Sequence, residues 1–404
     1  MKILMISSFL HERGGDTTYA AGLGRLLRAA GHEIIPFSMR HPDNDPSPWE
    51  SRFPVWVDPW GAKGPLEQAR LLPRLIWSRP AERAMAELLE HVRPDVAHVQ
   101  HLHRHLTPSV LRPLRAAGVP VLWTVHDAEL VCPAGTLYTQ GAPCERCLSG
   151  GYGQAIVHRC KAGAPLPSAA VALEKWVHNR LNIHELVNFF LCPSRFMADV
   201  LVRAGLPADR VVHLPNFLDT SLIPASAEPG EGWLYAGRLA PEKGVHTLLE
   251  AAARLPDARL SLFGGGPLAG WVADRAKRLP QVSLRGHTPR AQLLAEIARA
   301  RVVVVPSRWP ENYPYAVLEA QAAGRAVVAS AVGGIPEQIS SGEDGVLVPP
   351  GDASALADAV GALLADPARA RRLGEAGQRR ARERGSPSLH LERLLGFYAQ
   401  ASRA

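Results

Sequence analysis

Two glutamates eight residues apart, Glu311 and Glu319, sit in the stretch of this chain with the most chemical content. Val302-Val-Val-Val reads as a buried strand, the loop after it carries Glu311, and Pro314 falls where a helix would start. Proline suits that first turn because its missing N–H costs nothing there. The amides around Tyr315 and Ala316 would then form an anion site able to hold a diphosphate. The two carboxylates cannot be phosphate ligands themselves; they are suited to accepting hydrogen bonds from sugar and ribose hydroxyls. Taken alone, a glutamate pair at this spacing is most often two solvated helix residues. Gly237-Arg238-Leu-Ala-Pro-Glu-Lys243-Gly244, after another apolar strand, changes that balance by delivering two cations to the same carboxyl edge. Arg238 offers a planar fork for phosphate oxygens and Lys243 a point charge. Each cation alone reads more readily as a surface or ion-paired residue, but the four together describe a phosphate-and-hydroxyl site.

Other signals point elsewhere. Cys132, Cys144, Cys147 and Cys160 fall within 29 residues, with Cys144 and Cys147 at metal-ligand spacing and His158 near Cys160. Four thiolates can close a tetrahedral structural zinc site; the alternative is four reduced thiols in a loop, and the spacing leaves both open. Cys192, at a strand end, reads as core. Asp43-Asn-Asp45 resembles a metal-binding Asp-x-Asp but lies in a polar, Pro-rich loop away from the donor strands, and is read as a turn. Gly264-Gly-Gly266-Pro267 lacks the G-x-G-x-x-G spacing and acidic partner of a dinucleotide fingerprint, which disfavours an NAD-dependent enzyme.

The elements that must position these residues alternate. Strands are expected at 2–7, 33–38, 95–99, 119–125, 188–192 and 210–213, with Ala/Leu/Arg-rich helices between them, for example over 17–30, 80–92 and 107–117. A second series starts at Trp233 and continues at 259–263, 281–285, 301–305, 326–329 and 346–348. Such alternation implies parallel sheets covered by helices on both faces. The expected architecture is α/β: two doubly wound Rossmann-like domains facing each other across a cleft, with ligands outside the carboxyl ends of the strands. The expected boundaries are an N-terminal Rossmann-like domain over 1–215, a linker over 216–230, a C-terminal Rossmann-like domain over 231–387, and a terminal helix over 388–404 packing back on the first domain.

At 404 residues two domains are the natural division. The 47% hydrophobic and 21% charged content is that of a globular chain. A net charge of +7 favours an anionic partner, but no Lys/Arg block interleaved with aromatics marks a nucleic-acid face. No run approaches the ~18 apolar residues needed to span a bilayer. The segment from Leu66 to Trp77 mixes apolar residues with Arg70 and Arg74; Pro73 interrupts it, so an ordinary packed helix is favoured over an interfacial one, with weak membrane-surface association left open. Five cysteines, an odd number, argue for a reducing cytoplasm.

Taken together, Gly14-Gly15, Thr124-Val-His126-Asp127, Pro193-Ser194, Pro215-Asn216, Gly237-Arg238 to Lys243-Gly244, Gly264 to Pro267, Glu311 to Glu319, and Gly333-Gly-Ile-Pro336-Glu337 resemble a family 4 glycosyltransferase of the GT-B architecture over nearly the whole chain. The segment from Asp127 through Cys132, Cys144, Cys147 and Cys160 resembles a subgroup with a four-cysteine insertion. The resemblance implies a retaining, hexosyltransferase-like enzyme. It would move a sugar from a nucleotide diphosphate to a hydroxyl of a glycan or lipid-linked glycan, perform polysaccharide or glycolipid synthesis, and act in the cytoplasm or at the inner membrane face. No cofactor is required for catalysis on this reading; zinc would be structural. Arg238 and Lys243 would bind the diphosphate, Glu311 the donor sugar and Glu319 the ribose. Gly14 and Gly15 would let backbone approach the sugar-phosphate, His126 would contact the donor sugar, and Gly286 with His287 would frame the base. The competing readings are a nucleotide-sugar epimerase or hydrolase of the same fold and a non-catalytic sugar-nucleotide-binding subunit.

Overall fold

The computed structural model describes residues 1–12, 14–58, 64–224, 230 and 232–403. Its contacts divide the chain into two units: Met1–Gln140, Glu145–Leu214 and His390–Ala404 form the first, and Gly141–Cys144 with Pro215–Leu389 the second.

The first unit holds a six-stranded parallel sheet of β1 (Lys2–Ser7), β2 (Glu33–Phe37), β3 (Val96–His101), β4 (Val121–Thr124), β5 (Phe189–Cys192) and β6 (Val211–His213). The order across the sheet is β2-β1-β3-β4-β5-β6. Each strand lies within three residues of its expected position at either end. The central strands β1, β3, β4 and β5 are short and almost wholly buried, as parallel strands covered on both faces must be, while the edge strands β2 and β6 are only partly so. Helix α1 (Gly15–Ala29) follows β1 and buries Tyr19, Leu23 and Leu27, four residues apart on one face. Gly14 caps it: the Thr17 hydroxyl accepts from the Gly14 amide at 3.0 Å and donates to the Gly14 carbonyl at 3.1 Å. The expected helix over 107–117 forms as a 3-10 turn, Pro108–Val110, running into a helix over Leu111–Ala116. Helix α2 (Pro165–Arg180) brings Glu174, Lys175 and His178 into the interior.

The segment considered for membrane contact is a helix, Pro65–Ile76, with Pro73 inside it. Ile76 is buried and Trp77 is engaged, its indole N–H donating to Glu82 at 3.0 Å and Arg112 lying 4.4 Å over its ring. Among the described residues no helix is long and apolar enough to cross a membrane.

The second unit repeats the plan with β7 (Trp233–Ala236), β8 (Leu260–Phe263), β9 (Val282–Gly286), β10 (Val302–Val305), β11 (Ala326–Ser330) and β12 (Val346–Val348), all parallel, in the order β9-β8-β7-β10-β11-β12. Alternate residues divide its core into two layers. Trp233, Tyr235, Leu260, Leu262, Val302 and Val304 pack on one face. Leu234, Phe263, Val303, Val305 and Val327 pack on the other. The period of two in side-chain direction accounts for that division. The helices of this unit include α3 (Arg290–Arg299), α4 (Tyr315–Ala322) and α5 (Pro367–Arg384).

Residues 216–224, expected to begin a free linker, group with the second unit instead. Phe217 and Leu218 are buried, the Leu218 amide donates to the Gly385 carbonyl at 3.1 Å, and the Asn216 side chain donates to the Tyr313 carbonyl at 3.4 Å. Two apolar side chains suffice to hold this segment down. Residues 225–229 of that expected linker, and residue 231 at the expected start of the second domain, lie outside the described residues. The last helix, α6 (Pro387–Ala401), belongs to the first unit from His390 onward. Its Tyr398 is fully buried and its hydroxyl lies 2.7 Å from His98 Nδ1 on β3.

Candidate active site

In the second sheet the strand order reverses between β7 and β10, and ligands of open α/β sheets bind outside the carboxyl ends of strands at such a point. The expected cations and Glu311 lie on the loops that leave these two strands. After β7 the chain turns through a short 3-10 segment, Pro241–Lys243, to Gly244. Gly244 has φ +74°, and a Cβ there would lie 1.8 Å from the Pro306 carbonyl oxygen, so only glycine lets the two loops meet. The contact brings Lys243 Nζ to 2.8 Å from Glu311 Oε1 and 4.6 Å from the centre of the Trp309 ring. Ser307 donates to the same Glu311 oxygen at 2.5 Å. Burial pushes the Glu311 carboxyl up, but the Lys243 charge and the hydrogen bonds from Lys243 and Ser307 outweigh it and hold Glu311 below the usual carboxylate range. Arg238 is ion-paired with Glu242 one turn on, and more than half of its side chain is exposed.

Pro314 is the residue just before α4, one position earlier than the first helical turn, and Tyr315 and Ala316 supply the first two helical amides. The Tyr315 hydroxyl donates to the Phe217 carbonyl at 3.2 Å. Glu319 lies on α4, is buried, and carries a partner that its own stretch of sequence does not show: Arg290, the first residue of α3, with its guanidinium 2.8 Å from Glu319 Oε1. Gly286 ends β9 with φ +68°, and His287 beyond it is exposed. The second unit therefore offers two positive side chains, a helix start and two held carboxylates at the carboxyl ends of its strands. That arrangement can bind a diphosphate and hydroxyl groups at once.

In the first unit the strand order reverses between β1 and β3. Gly14 and Gly15 lie where α1 begins, after β1. Gly14 is extended, at φ −172° and ψ −173°, a conformation open to any residue; a side chain there would press on Asp16, 3.2 Å from its Cβ. His126 follows β4, with Nε2 2.9 Å from Gln100 Oε1 and its ring 5.2 Å from that of Tyr19, edge to face. Burial lowers its pKa to about 4, with Asp16 acting the other way and His101 adding to the drop, so the imidazole is neutral near pH 7. A neutral ring facing a carboxamide oxygen donates from Nε2.

Sequence reading missed Gln100, Tyr19, Arg290, Ser307 and Trp309. It also missed a buried charged network in the first unit, where Arg104 pairs with Glu129 and, at 3.2 Å, with Glu174. The run His101-Leu-His103-Arg104-His105 at the end of β3 was the available signal for that network.

No three of the four thiols come within 4.8 Å of one another, although Cys160 packs against both the cluster holding Cys132 and the one holding Cys147. Cys132 packs in the apolar core of the first unit, Cys147 in a smaller cluster with Ala155 and Ala172, and the Cys160 thiol donates to the Thr139 hydroxyl at 3.5 Å. Cys144 groups with the second unit. Thiolate ligation needs all four sulfurs about 2.3 Å from one point. Among the described residues, the groups of three or more possible ligand atoms within 4.8 Å are His11–His41–Asp43, His103–Glu174–His178 and His101–Asp127–Glu129, none with a thiol. The residues present do not fit the zinc site considered from spacing. Asp43 and Asn44 lie in a turn, where the Asn44 amide donates to the His41 carbonyl at 3.1 Å.

Comparison with known proteins agrees with this architecture. A family model described as Glycosyltransferase Family 4 matches residues 13–222, and one described as Glycosyl transferases group 1 matches residues 224–380. Glycogen synthase of Mycobacterium tuberculosis is 29% identical, over 94% of this chain and 90% of that protein. Alpha-maltose-1-phosphate synthase of Mycolicibacterium smegmatis is 34% identical over 54% of this chain and 64% of its own length. Among solved structures, sucrose-phosphate synthase of Thermosynechococcus elongatus superposes with a TM-score of 0.71 at 25% identity, covering 99% of this chain and 98% of that one. Two parallel doubly wound sheets in one chain are the GT-B plan, the matched models span both units, and the chain is a glycosyltransferase belonging to glycosyltransferase family 4.

Proposed function

We propose that this enzyme is a retaining glycosyltransferase using a nucleotide-diphosphate sugar, with a hydroxyl of a glycan or lipid-linked glycan as acceptor. The observation that carries the reading is the Lys243–Glu311 pair at the reversal point of the second sheet, beside the start of α4. Lys243 is fixed in place with its charge available to diphosphate oxygens, and Glu311 has one carboxylate oxygen engaged by Lys243 and Ser307 and a second available to sugar hydroxyls. Supporting a uridine donor, a structure of HepE from Anabaena with the same fold was solved with UDP-glucose.

The bond between the anomeric carbon and the phosphate oxygen breaks with its electron pair going to the phosphate. Arg238, Lys243 and the amides of Tyr315 and Ala316 stabilise that charge. The acceptor oxygen bonds to the same face of the anomeric carbon, and its proton passes to the departing phosphate. No protein base is needed, and neutral His126, its Nε2–H given to Gln100, contacts the donor sugar without donating to it. Glu319, held by Arg290, takes the ribose hydroxyls. The five free cysteines support a cytoplasmic site of action, and a lipid-linked acceptor would place the enzyme at the inner membrane face.

The test is saturation-transfer NMR of the protein with UDP-, GDP- and ADP-sugars, alongside Lys243→Ala and Glu319→Ala. Selective contact with one nucleotide series, lost in both variants, supports the reading; unchanged contact in Lys243→Ala overturns it.

A further inference from the structure

At the carboxyl ends of β3 and β4 in the first unit, three side chains able to accept hydrogen bonds converge; burial and the Glu129 charge raise the Asp127 carboxyl to about 7, so it is partly protonated at neutral pH. His101, Asp127 and Glu129 each present a ligand atom within 4.8 Å of the others. His101 Nδ1 lies 3.1 Å from the Ser8 hydroxyl, and that hydroxyl donates its one hydrogen to the His101 carbonyl at 3.0 Å. The contact with Nδ1 is therefore one that Ser8 accepts, so Nδ1 carries a proton, and in the neutral ring Nε2 is the acceptor. Nε2 faces Glu129 Oε2 at 3.9 Å, too far for a direct hydrogen bond. Glu129 is 7% exposed, and Oε2 is buried without a hydrogen-bond partner.

The local fold holds this arrangement. Gly135 packs directly on Glu129, where a Cβ would lie 2.5 Å from Glu129 Cγ. Arg104 takes the other Glu129 oxygen, and it does so from φ +62°, a backbone region costly for a residue with a side chain. The Asp127 carboxylate accepts from the Glu129 amide at 2.8 Å, which turns the loop so that both acids face the same side.

Spacing decides what belongs there. Ligands at right angles about 2.1 Å from an ion stand about 3 Å apart, closer than His101 Nε2 and Glu129 Oε2. A neutral oxygen sitting about 2.8 Å from both His101 Nε2 and Glu129 Oε2 bridges 3.9 Å comfortably.

We propose that His101, Asp127 and Glu129 form a subsite for adjacent hydroxyls of a neutral polyol, one O–H bridging His101 Nε2 and Glu129 Oε2 and the next donating to Asp127. This assigns the acceptor as a neutral sugar or cyclitol ring bearing a vicinal diol. It rests on the transfer reaction proposed above, but its binding is measured without turnover and fails independently of it.

The experiment is saturation-transfer NMR with trans-1,2-cyclohexanediol, cyclohexanol, methyl α-D-glucopyranoside and methyl α-D-mannopyranoside, on wild type, Asp127→Asn and His101→Phe, with UDP as the control ligand. The diol and at least one glycoside give saturation transfer in wild type and at least fivefold less in both variants; cyclohexanol gives none, and UDP contact is unchanged. Equal signals in the variants, or no contact by any polyol, overturn the proposal. So does manganese held at these residues, read by electron paramagnetic resonance and lost in Asp127→Asn. A measurement on wild type alone guards against misfolded variants: 15N NMR of the polyol-bound protein finds the His101 hydrogen on Nδ1, and a hydrogen on Nε2 removes the lone pair on which the subsite depends.

Discussion

Lys243 Nζ sits 2.8 Å from Glu311 Oε1 across 68 residues of chain, and each restrains the other. Removing the amine leaves a buried carboxylate without its cation. Lys243→Ala therefore loses at least tenfold in nucleotide affinity and about 1–3 kcal/mol of stability, less than a fully buried pair because Lys243 is partly exposed. Calorimetric titration and urea unfolding read the two effects. Glu311 is held below its usual range, so its contribution to stability is full above its unfolded pKa of about 4.3 and falls away as pH drops through the lower folded value. The stability gap between wild type and Glu311→Gln should therefore begin to close below about pH 4.3 and vanish only beneath the lower folded value.

Arg290 and Glu319 make a second prediction. Arg290→Ala leaves Glu319 buried and without its cation, and nucleotide affinity falls about tenfold with a smaller loss in Arg290→Lys, which restores charge without the planar fork. Calorimetric titration with the preferred nucleotide separates the two variants; equal affinities would remove the orienting role.

Five histidines of the first unit resist protonation: burial lowers His98 and His178 to about 3, and His103, His126 and His184 to about 4. Each binds a proton more readily when unfolded. Their contribution is intact above about pH 6.5 and is lost as pH falls toward the folded values. Stability should drop by about 1.4 kcal/mol per pH unit for each histidine that stays neutral. Urea unfolding between pH 7 and 5 measures the slope, and His98→Gln should make it shallower by that amount.

Gly244 supplies the sharpest steric test. Gly244→Ala meets both a left-handed backbone and the Pro306 carbonyl, and should cost about 3 kcal/mol or more with loss of nucleotide binding. Gly265→Ala, in the neighbouring loop with nothing within 4 Å of a Cβ, should leave both unchanged. Thermal unfolding of the two variants side by side decides it.

The central strands were legible because each is a short apolar run buried on both faces, which leaves little else such a run can be; the edge strands were placed by the alternation around them. The meeting of Lys243 with Glu311 was legible for a topological reason: both residues follow strands, and β7 and β10 are adjacent. Arg290 was not legible, since its link to Glu319 depends on how α3 and α4 lie together and on nothing in the spacing. The cysteines mislead in the opposite way. Proximity in sequence is unrelated to where each sulfur is buried, and Cys132 behaves as a small apolar side chain. Phe217 and Leu218 show how two apolar residues, with hydrogen bonds beside them, draw the start of an expected linker into packed structure.

The return of residues 390–404 to the first unit bears on how the molecule comes into being. During synthesis the ribosome delivers the whole of the second unit before Tyr398 emerges to meet His98. The six strands of the first unit must wait, their final helix still missing, while residues 215–389 are made and folded. No single cut in the gene yields the first unit entire: a fragment ending at residue 214 carries β1–β6 but lacks the segment that closes over them.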